Sequence, residues 1–250
     1  MQQKQSELLK EEVQSRSFAA AVSRRKFLNY AGLSAGALIF ASSCKKNFNP
    51  SVTSDAHVHS EGGGQDGGKA VVNLGSGDTG ILNYAYALEQ LEAAFYTQAV
   101  ATPYSGITDM EMEYLTDIMH HEIAHREWFK TVLGDSRIGG LIVNFSSIDF
   151  SSRASVLGTA KAFEDTGVSA YNGAGELIQN ATYLLYAGKI VSVEARHAAT
   201  IRDLLNYGSF ADSTAVNSMG LDLVNTPPDV LKIVAPYVST KIISNNLPTS

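Results

Sequence analysis

The chain has 250 residues, 44% of them hydrophobic and 18% charged, with a net charge of −6, which suits one globular domain plus extensions. The balance is more acidic still after Cys44, about −9, and gives no basic patch of the kind that nucleic-acid binding needs. No apolar run reaches the roughly 18 residues of a membrane-spanning helix, and a single cysteine excludes an internal disulfide framework or a cysteine-ligated iron–sulfur site within this chain.

Residues 1–22 are polar and charged. Ser23-Arg24-Arg25-Lys26-Phe27-Leu28 and the apolar run from Tyr30 to Ala41 follow. A basic flank, a short apolar stretch and small residues make an export signal; the paired arginines resemble the twin-arginine type. Ala41-Ser42-Ser43-Cys44 resembles a bacterial lipobox, with Cys44 as the lipidated residue, although Ala41 stands where leucine is usual. Residues 1–44 are therefore read as an export signal, and the protein as periplasmic or as a membrane-anchored lipoprotein of a bacterium. Residues 45–77 read as a flexible tether rich in Gly, Ser and Asn, too polar to order itself. His57 and His59 lie in this tether, where two imidazoles bind a metal weakly.

The first core helix is expected from about Ile81 to Val100, capped by Asp78 or Thr79. Ile81, Ala85, Leu88 and Phe95 recur at helical spacing. Thr102 to Gly106 breaks it. Thr108 or Asp109 caps a second helix that continues to about Leu133 and stops at Gly134. Gly139 to Ser151 reads as a long crossover. A third helix runs from about Ser152 to Tyr171 and ends in Asn172-Gly173-Ala174-Gly175, with a further turn at Glu176 to Asn180. A fourth spans about Ala181 to Asn206. The tail is loop-like from Phe210, then forms a short fifth helix from Asp229 to about Ile243, broken near Pro236. No strand signal of comparable strength is present. The expected fold is an all-α four-helix bundle over residues 78–207 with one long crossover, followed by a C-terminal extension over 208–250.

The chemistry rests on a repeat. Glu122-x-x-His125 occurs in the second helix and Glu194-x-x-His197 in the fourth. Residues three apart lie on one side of a helix, so each pair can grip one ion. Each pair has a glutamate and a tyrosine upstream: Glu89-x6-Tyr96 and Glu164-x6-Tyr171. The intervals are 33 residues from Glu89 to Glu122 and 30 from Glu164 to Glu194, as expected of a duplicated helical hairpin. The glutamates sit among core residues, and buried carboxylates are paired or metal-bound. In the first helix two readings stay open. The Glu-x6-Tyr echo selects Glu89, whereas the apolar stripe centres on Glu92, which would then bridge or support the ligands. Tyr96 and Tyr171 are placed to hydrogen-bond ligands.

Two single glutamates plus two Glu-x-x-His pairs match the inward-facing ligand set of ferritin-like di-iron and di-manganese bundles. The segments Asn83 to Tyr96, His121 to His125, Phe163 to Tyr171 and Val193 to Ala198 resemble the ferritin-like domain family that includes desiccation-related proteins and exported bacterial members. The resemblance implies a dinuclear iron or manganese site with Glu89, Glu122, His125, Glu164, Glu194 and His197 as ligands. It leaves the reaction open among peroxidase, catalase-like and ferroxidase activity in stress protection, with peroxide or dioxygen as the small oxidant. A non-catalytic stress- or desiccation-associated structural or metal-binding module is the alternative. His121-Glu122-Ile123-Ala124-His125 also reads as the His-Glu-x-x-His signature of zinc proteases, with His121 and His125 on zinc, but that reading leaves Glu194-x-x-His197 unexplained. Either a monomer or a small homo-oligomer fits the acidic surface.

Overall fold

A computed structural model describes residues 71–249; the predicted export signal, Cys44, His57 and His59 lie outside them. Four long helices carry the core: α1 (Gly77–Ala101), α2 (Asp109–Leu133), α3 (Arg153–Gly175) and α4 (Ala181–Leu205). α1 packs along α2 and α3 along α4, so the molecule is two antiparallel hairpins laid together. The loops have the expected rhythm, short, long, short, and the expected four-helix bundle is observed. Among the described residues, no helix is long and apolar enough to cross a membrane.

The helix ends follow from local chemistry. At Thr108 the hydroxyl accepts from the Glu111 amide and the Glu111 carboxylate accepts from the Thr108 amide, a reciprocal cap that fixes the start of α2. Ser152 caps α3 and Asn180 caps α4 through their side chains. α1 differs from expectation: it starts at Gly77 after Ser76, without a side-chain cap. The Asp78 carboxylate instead accepts from the amides of Gln179 and Asn180, both at 2.8 Å, tying the start of α1 to the loop between α3 and α4.

α3 also runs past the predicted stop at Asn172-Gly173, to Gly175, and a strap from the C-terminal extension lies across it. The Asn225 amide donates to the Ser169 carbonyl at 3.0 Å, and its side chain donates to the Ser169 hydroxyl at 2.9 Å. A β-carbon on Gly173 would sit 2.0 Å from the Asn225 carbonyl oxygen, so glycine here permits the close approach. Gly173→Ala should lift the strap and cost about 1–3 kcal/mol of unfolding free energy, as overpacking does. The check is a denaturant melt together with hydrogen exchange at the Asn225 amide; an unchanged exchange rate would refute the tight crossing.

The C-terminal extension corrects two further expectations. The fifth helix, α5, is shorter than predicted, Pro227–Val234, and Pro236 sits in a 3-10 turn over Ala235–Tyr237. Residues expected to end it form a strand instead. β1 (Val71–Asn73), inside the predicted tether, pairs in parallel with β2 (Lys241–Ile243). The crossover is bound to this tail: the Asn144 amide donates to the Tyr237 carbonyl, and the Ile142 amide to the Thr240 hydroxyl. It is also bound to α1, where Asn83 accepts from the Ile138 amide and Gln90 from the Leu141 amide. α1 is thus covered on nearly every side, and such a helix is apolar all round rather than striped.

Candidate metal centre

The inner faces of the four helices bring together all six of the predicted ligands. Glu89, Glu122, Glu164 and Glu194 are fully buried, and His197 nearly so. His125 Nδ1 lies 2.9 Å from Glu194 Oε1, 3.4 Å from Glu89 Oε2 and 3.6 Å from Glu122 Oε2. His197 Nδ1 lies 2.8 Å from Glu122 Oε1, 3.4 Å from Glu164 Oε2 and 3.7 Å from Glu194 Oε2. Two four-residue groups result, each with ligating atoms within 4.8 Å of one another: Glu89, Glu122, His125 and Glu194, and Glu122, Glu164, Glu194 and His197. Glu122 and Glu194 belong to both groups, and each turns one oxygen toward each histidine.

The two tyrosines cross between the hairpins. The Tyr96 hydroxyl, on α1, donates to Glu164 Oε1 on α3 at 2.6 Å, and the Tyr171 hydroxyl, on α3, donates to Glu89 Oε1 on α1. Burial first, then the nearby carboxylates, push both phenols well above their ordinary pKa, so both stay donors. Each tyrosine occupies one oxygen of its glutamate. The other oxygen, Oε2 of Glu89 and of Glu164, has no hydrogen-bond partner among the described residues, and neither do both oxygens of Glu122 and Glu194 or Nδ1 of either histidine. Buried polar atoms are otherwise satisfied in folded proteins. Hard oxygen donors with two imidazoles, converging and unpaired, fit divalent iron or manganese.

Without an ion the cluster shares its protons unevenly. Burial pulls His197 down, but Glu122, Glu164 and Glu194 outweigh it and push it up to about 12. His125 rises in the same way against its burial, through Glu122, Glu194 and Glu89. Glu194 is held at about 2 despite its burial by the two histidines. Burial raises Glu164 to about 7, partly offset by His197 and Tyr96. Glu122 lies well above its usual value through burial and the charge of Glu194.

Glu92 is buried but joins neither four-residue group. Its Oε1 lies where a β-carbon on Gly167 would be 3.2 Å away, with Glu194 Oε2 beside the same point at 3.6 Å. It therefore stands next to the cluster against α3, and burial followed by four neighbouring carboxylates raises its pKa well above the usual value. Between the two first-helix candidates, the geometry gathers Glu89 with the histidines.

His121 is placed differently from the zinc-protease reading. It is exposed, it joins no ligating group among the described residues, and its Nδ1 is hydrogen-bonded at 2.8 Å to Nε2 of His197. In the sequence its signal is the histidine doublet directly before Glu122, where the zinc-protease signature would make it a ligand.

A family model described as a ferritin-like domain matches residues 77–207, just over half of the chain. No curated protein matches.

Proposed function

Because the chain belongs to the ferritin-like domain family, we propose that it holds two iron or manganese ions in this pocket and uses them to consume peroxide, as an exported protective protein. The observation that carries the reading is the division of Glu122 and Glu194, each with one unpaired oxygen in each half of the cluster. Bound there, iron or manganese would supply reversible redox steps at positions open to peroxide or dioxygen. The protein's own part is positioning. Glu89 and Glu164 would each complete one half, with Tyr171 and Tyr96 fixing the carboxylate rotamers by a hydrogen bond from the other hairpin. Full burial of the four glutamates keeps bulk water from their free oxygens. The reading includes export by the twin-arginine-like signal around Arg24 and Arg25 and anchoring at Cys44, supported by the sequence of residues 23–44; a protein that folds around its metal before crossing the membrane suits that route.

The test compares the metal-free chain with the same chain loaded with Mn(II) or Fe(II), following peroxide loss and oxygen release. Metal-dependent peroxide consumption is expected, with two ions per chain. Failure to bind either metal would end the reading. Two bound ions without peroxide consumption or ferrous oxidation would favour the non-catalytic, structural alternative.

A further inference from the structure

The cluster is nearly symmetric. Exchanging the hairpins takes Glu89 to Glu164, Glu122 to Glu194, His125 to His197, and Tyr96 to Tyr171. The symmetry fails one step from the ligands. The residue before Glu122 is His121; the residue before Glu194 is Val193. His121 Nδ1 lies 2.8 Å from His197 Nε2, in nearly parallel rings with centroids 5.1 Å apart. The polar contacts of His125 among the described residues are all made by its Nδ1. Val193 has no group that could serve it as His121 serves His197.

A histidine that binds a metal through one ring nitrogen is fixed in tautomer and orientation, and made a better donor, when its other N–H has an acceptor. We propose that His121 is a positioning residue that makes the two halves of the centre unequal: by accepting from His197 Nε2–H it presents the His197 Nδ1 lone pair to Glu122, Glu164 and Glu194, and the His197 half takes its ion first and more tightly. This rests on the dinuclear reading above. The ligands themselves are matched in kind between the halves, three carboxylates and one imidazole each. The other nearby asymmetry is Glu92, which has no counterpart at the equivalent position, Gly167. The experiment must separate the two.

The metal-free full chain is titrated calorimetrically with Co(II), which accepts the same oxygen and imidazole donors. The wild type should bind two ions in steps about 10- to 100-fold apart in affinity, the usual effect of such a supporting hydrogen bond. His121→Val copies the other half; it should weaken the tighter step until the two merge. His121→Asn, whose amide oxygen can stand in for Nδ1, should keep two steps. Because His121 is exposed, both variants should stay folded without metal, with His121→Asn at the wild-type melting temperature. Equal steps in the wild type, or an undiminished gap in His121→Val, would overturn the proposal, the latter pointing to Glu92 as the source of the inequality. No binding, or one ion only, would instead overturn the dinuclear reading from which the proposal starts.

Discussion

Replacing Glu122 by alanine should remove both ions at once, whereas His125→Ala should leave one. Glu122 has an oxygen in each half of the cluster, while His125 serves only one half. Loss of a supporting residue near a metal costs about 10- to 100-fold in affinity, so loss of a shared ligand should exceed about 100-fold for each ion. Elemental analysis after equilibration with Mn(II) reads the result directly. The apo fold should survive, because each histidine that faces Glu122 keeps two other carboxylates, Glu89 and Glu194 at His125 and Glu164 and Glu194 at His197. Glu122→Gln keeps the shape and guards against an effect of the cavity. Retention of one full ion by Glu122→Ala would show that the halves are independent sites with no shared carboxylate.

Acid should act in opposite directions on the metal-free and metal-loaded protein. Glu92, Glu122 and Glu164 titrate higher in the fold than their ordinary 4.5, Glu164 at about 7. Their contribution to stability is complete below 4.5 and is lost as pH rises through the folded values. The contribution of His125 and His197 is complete below the ordinary 6.5 and is lost on the alkaline side, for His197 through about 12. Glu194 opposes them: held at about 2, it stabilises above 4.5 and loses that effect as pH falls toward 2. The metal-free protein should therefore be most stable near pH 4.5 and weaken steadily toward pH 8. Ions need the same groups deprotonated, so their binding fades as pH falls. With free metal at about 100 times each Kd, two ions add roughly 5 kcal/mol at neutral pH, a rise in melting temperature of about 10–20 °C for a domain this size. Calorimetric melts with and without Mn(II) at pH 5 and pH 8 check both halves. A metal-free protein most stable at pH 8, or an equal metal-induced rise at both, would contradict the cluster's proton sharing.

The sequence carried the bundle because its information is local and repeated. The two Glu-x-x-His pairs, their upstream glutamates and the loop rhythm each depend on residues within a few turns of one another, and all six predicted ligands do converge. What was illegible depends on distant contacts. Glu89 and Glu92 could not be separated because α1 is covered by the crossover, the tail and the other helices, leaving no single apolar stripe to mark the inside. β1 and β2 are three residues each and pair across nearly the whole described chain. Gly173 looked like a stop signal because its partner, Asn225, lies some fifty residues on. Asp78 looked like a cap, but two amides of the loop before α4 claim its carboxylate.

The crossed tyrosines have a consequence for assembly. Tyr96 steadies a glutamate of the second hairpin and Tyr171 one of the first, and each half of the cluster draws carboxylates from both hairpins. A lone hairpin can offer only three of the six ligands and could complete the set only by clasping a twin. On the proposed dinuclear reading, ion capture would come after the hairpins have closed on each other, and the ions would act as rivets across that seam rather than as seeds around which either hairpin forms.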